Sequence, residues 1–221
     1  MYGSHLNFST NYDYYRKIKE DEAKYGNEIY SLEVSPSFYL VKKKSMRDLI
    51  SPLGFVANYS YKNSPIGVVK YGELQGGQIA LYVPGLFKHH GIRLLTGIQK
   101  TRKDNLTYSN VISTTRGYGK ITNSEMRTFS VDYKLPLFYP DWNIGKVIYL
   151  KRFHLGIFGD YTQAKNEGKW HEYKTTGLEL FADLHLFQWV VPFQIGFRFQ
   201  YLPDTQKFKF NMLNEAKYND L

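Results

Sequence analysis

One arginine and two aspartates frame the chemistry open to this chain. Arg116 stands in a long polar stretch beside a flexible glycine, as Arg116-Gly117-Tyr118; Asp132 and Asp160 follow, one in each of the next two alternating stretches. A guanidinium is a planar, permanently charged fork that can donate to two carboxylates at once. These residue types point to anchoring: a loop carried into a polar interior and pinned there by ion pairs. The competing reading makes Arg-Gly-Tyr an exposed turn and both aspartates ordinary solvated charges. Asp183 and His185 form an Asp-x-His pair that could activate water as a base. His89, His90 and His154 have no metal-ligand spacing to other ligands, and cysteine is absent, so no metal, cofactor or disulfide framework is expected.

The elements that must position these groups are strands. Between Met126 and Leu137, Phe129, Val131, Tyr133, Leu135 and Leu137 share one face, and Ser130, Asp132 and Lys134 share the other. Between Val147 and Thr162, Phe153, Leu155, Ile157 and Tyr161 oppose Arg152, His154, Gly156, Phe158, Asp160 and Thr162. A period of two with one apolar and one charged face marks a strand between unlike media. The same period recurs at 5–12, 30–40, 53–61, 78–84 and 92–99 before a long loop at 101–125, and at 177–186, 191–201 and 207–212 after it. Pro36 is awkward for a central strand. No stretch of useful length has the helical period, and no internal repeat is visible. The expectation is one all-β, antiparallel domain over 1–221 with about ten strands.

Composition narrows the class. Aromatics reach 17% of 221 residues, with 20 Tyr and 15 Phe, and the formal charge is +9. The basic residues are scattered, Lys42 to Lys44 being the only run, so no nucleic-acid partner is expected. No segment approaches the roughly 20 apolar residues of a membrane helix. A transmembrane β-barrel stays open, because each of its strands needs only about ten alternating residues. The opening residues lack the features of a signal peptide, which for an exported barrel implies a processed chain or a fragment.

Connections alternate too. Those after the first, third, fifth and seventh predicted strands are long or polar, and those after the second, fourth, sixth and eighth are short. Phe138, Tyr139 and Trp142 lie in the sixth connection and Phe187 and Trp189 in the eighth, where a barrel carries its aromatic girdle. The ninth, Pro203-Asp204-Thr205, is short and breaks the pattern. Slipping the register by one would turn Arg152, His154 and Asp160 outward together. A lipid-facing Arg or Lys at midplane costs about 2–4 kcal/mol, so the phase with Phe153, Leu155 and Ile157 outward is preferred, and Lys151 snorkels from near a strand end. A soluble sandwich or lipocalin-like barrel alternates in the same way, but its polar phase is solvated surface. The small and polar set here suits an inverted, polar-inside barrel.

The Arg116-Gly117-Tyr118 loop, the strand SVDYKLPL and the strand HLGIFGDYT resemble the sixth extracellular loop and the next two strands of the BamA-type outer-membrane assembly and two-partner-secretion barrels, the bacterial surface antigen superfamily. In that family the loop tucks into a 16-stranded barrel, and its arginine pairs with acidic residues of the two following strands. The resemblance implies that Arg116, Gly117 and Tyr118 anchor on Asp132 and Asp160, and that the chain is the last ten or so strands of such a barrel. Thr115 stands where the family has valine, and Tyr161-Thr162 where it has small residues. The implied role is non-catalytic insertion or translocation of proteins at the bacterial outer membrane. Its partners would be outer-membrane lipid, client β-barrel or secreted proteins, and periplasmic assembly factors. The alternatives are a protease-like ten-stranded barrel enzyme, for which the chain lacks the second Asp-x-Asp pair, and a simple porin or structural barrel.

Overall fold

The computed structural model describes residues 2–14, 28–45, 47–65, 72–103, 107–145, 147–186 and 193–216. Among them there is no helix. The strands are β1 (Tyr2–Tyr14), β2 (Glu28–Val41), β3 (Gly54–Asn63), β4 (Glu73–Pro84), β5 (Gly91–Arg102), β6 (Glu125–Phe138), the three-residue β7 (Trp142–Ile144), β8 (Ile148–Asn166), β9 (Lys169–Leu186), β10 (Phe193–Leu202) and β11 (Lys207–Ala216). They make one antiparallel sheet in chain order, with β7 set aside as a short pairing onto β8; β1 and β11 are its edges. Ten long strands, each antiparallel to its sequence neighbour, are what ten alternating stretches in succession lead to.

Three details depart from the sequence reading. The seventh connection is a tight turn at Glu167 and Gly168, both at positive φ (48° and 82°), and the polar residues around it belong to strands. Turns of that handedness match strand twist, so the β8–β9 ladder runs on to Asn166↔Lys169. The second connection, 42–53, folds back against the sheet: it buries Leu49 and Ser51, and Ile50 sits where a side chain on Gly91 would be. Pro36 does occupy an interior strand, and the β2–β3 ladder breaks there, passing from Val34↔Tyr61 to Ser37↔Asn58. Phe187, Trp189 and Val191 lie outside the described residues.

The sheet has inverted polarity. One face carries Leu32, Phe38, Ile79, Leu81, Phe129 and Leu178, all exposed. Ile157, Leu180 and Phe197 are 43%, 39% and 40% exposed, as full members of that face. The opposite face holds buried Gln99, Thr128, Ser130, Asp132, Arg152, His154, Asp160, Glu179, Asp183, Gln194 and Gln200. Among the described residues, an apolar cluster on this inner side joins Ile112 and Ile121 from the long loop to Met126 and Ala164.

Candidate functional site: a loop clamped inside the sheet

The loop between β5 and β6 lies on the inner face, and glycines make room for it. A Cβ on Gly76 would come within 2.7 Å of Val111 Cγ2. The descending arm is held by amide side chains. Val111 N donates to Gln99 Oε1 at 2.9 Å, Ser113 N to Gln78 Oε1 at 3.2 Å, and Asn110 Nδ2 to the Ile121 carbonyl at 2.6 Å, closing the loop on itself. Loop backbone buried against a sheet needs such partners.

At the tip, Arg116 is the centre of an ion network. Its Nε donates to Asp160 Oδ2 and its Nη2 to Asp160 Oδ1, both at 2.8 Å, a bidentate fork. Nη2 also reaches Asp132 Oδ1 at 2.8 Å, and Nη1 reaches Glu179 Oε1 at 3.3 Å. The guanidinium lies over the Phe158 ring, 3.8 Å from its centroid. Burial alone would lower the Arg116 pKa; the hydrogen bonds and charge of Asp160, with Asp132 behind them, hold it above its ordinary value. Asp132 and Asp160 stand on neighbouring strands on the same face, one pairing with Phe158 and the other with Ser130. The two carboxylates thus flank one point.

The structure brings Arg116, Asp132 and Asp160 together, and adds members that spacing did not single out. Arg93 on β5 donates to Asp132 Oδ2 from both Nε (3.0 Å) and Nη2 (2.8 Å). Arg198 Nε on β10 donates to Glu179 Oε1 at 2.7 Å. Three carboxylates are therefore spanned by three arginines, in a chain from β5 to β10. Glu179 was legible only as a polar-phase residue of its strand. Register places it opposite Arg198, and register across strands is not visible in one strand's alternation.

Gly117 and Tyr118 complete the anchor. Gly117 has φ +86°, and a Cβ there would meet the Gln200 side chain at 2.7 Å. Its carbonyl accepts from Lys209 Nζ on β11 at 2.6 Å, while the Arg116 carbonyl accepts from Thr175 Oγ1 on β9 at 2.7 Å. Two consecutive residues thus reach from β6 to β11, four strand spacings apart, through the long side chains of Arg116 and Lys209. Tyr118 Oη donates to Asp204 Oδ2 at 2.8 Å, in the short ninth connection. Its ring meets Tyr173 edge-on at 5.1 Å. Partial desolvation and the Asp204 carboxylate push its hydroxyl up to about 12.

Thr115 and Thr162 meet each other. Thr115 donates to Thr162 Oγ1 from its backbone N at 3.0 Å, and the two hydroxyls lie 2.7 Å apart, both residues buried. Where a valine and a small residue would pack without polar contact, this chain has a hydroxyl pair.

The Asp-x-His pair is not assembled as a base. Asp183 is buried and taken by Arg152 Nε, by Gln194 Nε2 at 3.0 Å and by His154 Nε2 at 3.3 Å, whereas the His185 ring lies against Tyr149 at 5.9 Å. A base held under an arginine and closed off from solvent has no route to a substrate proton. His89 pairs with Asp48, and His90 with the Tyr133 hydroxyl. Among the described residues no group of three His, Asp or Glu could hold a metal. No protein-family model matches the chain, and no curated protein matches it.

Proposed function

We propose that this chain is the C-terminal part of a β-barrel of the bacterial outer membrane, similar to the assembly and two-partner-secretion barrels, and that it takes part without catalysis in inserting or translocating proteins. The observation that carries the reading is the Arg116 clamp within a sheet of inverted polarity. Exposed aliphatic and aromatic side chains on the outer face suit hydrocarbon, and a polar inner face suits an enclosed lumen. In water, that outer face would be a contiguous apolar surface far beyond what a monomer carries. The mechanism would be templating: an edge strand offers unpaired backbone groups on which an incoming strand can pair. Phe208, Phe210 and Met212 keep the β11 edge apolar, at 83%, 57% and 65% exposure. The clamped loop, tied to β11 through Lys209, would hold the wall in shape while an edge opens. The same loop fills the inner face, which disfavours a simple pore, and the sequestered Asp183 disfavours a protease-like enzyme.

The test is refolding into phosphatidylcholine vesicles, followed by gel migration with and without boiling, then refolding of an unfolded barrel client alongside. The expected result is a fast-migrating unboiled band and faster client folding. A chain that stays monodisperse in plain buffer would overturn the membrane reading, and an unchanged client rate would overturn the assembly role.

A further inference from the structure

The outer face of the sheet is not uniform. Across β3, β4 and β5, Gly77 stands between Tyr59 and Ile98 in one cross-strand row, and the row below it runs Ala57, Ile79, Thr96. Missing or small side chains flanked by Phe38, Tyr59, Ile79 and Ile98 leave an open cavity of about 1090 Å³. Above it, toward the end where the long loop leaves β5, a second cavity of about 560 Å³ is lined by Glu73, Lys100, Arg102, Lys103 and Glu125. The two share Gln75, Lys100 and Glu125, so they are continuous. Arg127 stands on the wall of the first, its guanidinium 5.0 Å from the Trp170 ring. Together they make an amphiphile's mould: apolar below, and above it three cations, Lys100, Arg102 and Lys103, against two carboxylates, Glu73 and Glu125.

We propose that this pair of cavities binds an anionic phospholipid, the acyl chains lying in the apolar cavity and the phosphate in the cationic one. The proposal rests on the membrane reading above and deepens it by naming a lipid class and a place. Charge complementarity selects the occupant. Lys100 is exposed and only 4.0 Å from Glu125, a loose pair that a phosphate can displace. Lys and Arg at this height meet headgroups, while Tyr and Trp mark the interface. Trp170, capped by both Arg127 and Lys165 (5.0 and 5.7 Å), sets that level on the neighbouring strands. A zwitterionic lipid would fill the apolar cavity equally well but bring no net negative charge to the cationic one.

The experiment is native mass spectrometry of the detergent-refolded chain with dioleoyl phosphatidic acid, with phosphatidylcholine of the same chains, and with inorganic phosphate. One phosphatidic acid is expected per chain, held more tightly than the choline lipid, with inorganic phosphate not retained. Losing two cations in Lys100→Gln with Arg102→Gln should weaken the acidic lipid about 25-fold, at about fivefold per cation, and leave the choline lipid unchanged. Ala57→Phe, filling the apolar cavity, should weaken both lipids; each variant's unboiled gel migration checks that it has folded. Equal retention of both lipids, a double variant that binds as well as the parent, or phosphate retained as well as lipid would overturn the site. A chain that needs no detergent would instead overturn the membrane reading beneath it.

Discussion

Two arginine–aspartate clusters sit on the inner face of the β8–β9 pair, and they differ in what they join. In one, Arg152 and Asp183 face each other across the ladder, with His154 and Gln194 beside them, and these four stand on β8, β9 and β10. In the other, Arg116 comes from a loop and grips carboxylates on β6, β8 and β9. The first staples neighbours that backbone pairing already holds together. The second fixes a segment that no ladder holds. The same chemistry is redundant in one place and decisive in the other, because its value depends on what else constrains the groups it joins.

The sharpest way to break that contrast is Arg116→Ala. Asp132 keeps Arg93 and Glu179 keeps Arg198, but among the described residues Asp160 is left without a cation. A cost at the upper end of about 3–5 kcal/mol is expected, read as the urea midpoint in detergent. Protease should then cut within 107–124. Arg116→Lys should recover only part, because an ammonium cannot grip Asp160 through two nitrogens. Next comes Arg152→Ala. Asp183 keeps Gln194 and His154 as hydrogen-bond partners, so the cost should fall at the lower end of the same roughly 3–5 kcal/mol range. The loop should stay resistant to protease. Equal cleavage of both variants would show that the two clusters act as one unit and that the contrast fails.

The contrast also explains what could be read before the fold was known. Alternation placed ten strands and both their faces, since burial on the inner side follows period two: Arg152, His154, Gly156, Phe158, Asp160 and Thr162 are all buried. The Arg116 anchor was legible from a short loop resemblance and two carboxylates in the correct phase. Arg93, Glu179 and Arg198 were not, because their roles arise from registers between strands, which single-strand periodicity does not encode. Asp183 stands out in sequence only through its Asp-x-His spacing for the same reason. The i, i+2 neighbour on its own strand is conspicuous in sequence, while Arg152, its partner across the ladder, lies thirty-one positions away. The turn at Glu167-Gly168 was hidden by polar residues that read as loop yet sit in a ladder protruding past the apolar band.

A finer comparison lies within the loop's own contacts. The Thr115–Thr162 hydroxyl pair is buried, and each hydroxyl has a longer second contact, the Tyr173 carbonyl for Thr115 and Thr128 Oγ1 for Thr162, so losing the shorter bond costs only part of a desolvated polar group. Thr115→Val and Thr162→Val should each cost about 1 kcal/mol, and the double variant less than their sum, with a coupling of about 1 kcal/mol by double-mutant cycle. Strictly additive costs would mean that the two hydroxyls are satisfied independently.

The smallest effect sits at the loop's solvent end. The Tyr118 hydroxyl donates to Asp204 Oδ2, and only its protonated form can do so. Its pKa is raised from the ordinary 10 to about 12, so the stability it contributes is fully present below pH 10 and is lost as pH rises through about 12. Tyr118→Phe should cost about 0.5 kcal/mol at neutral pH, a hydrogen bond discounted for its access to water. The difference between parent and variant should shrink between pH 10 and 12, with the variant's own alkaline loss as the baseline for lysine titration. The Arg116 anchor should behave oppositely over that window, since its guanidinium is held above its ordinary range and stays charged throughout. Protease resistance at the loop tip should therefore survive alkaline titration while the Tyr118 contribution melts away. If resistance at the tip disappears together with that contribution, the tyrosine latch and the arginine clamp are one device, and the loop is held at its rim as much as at its centre.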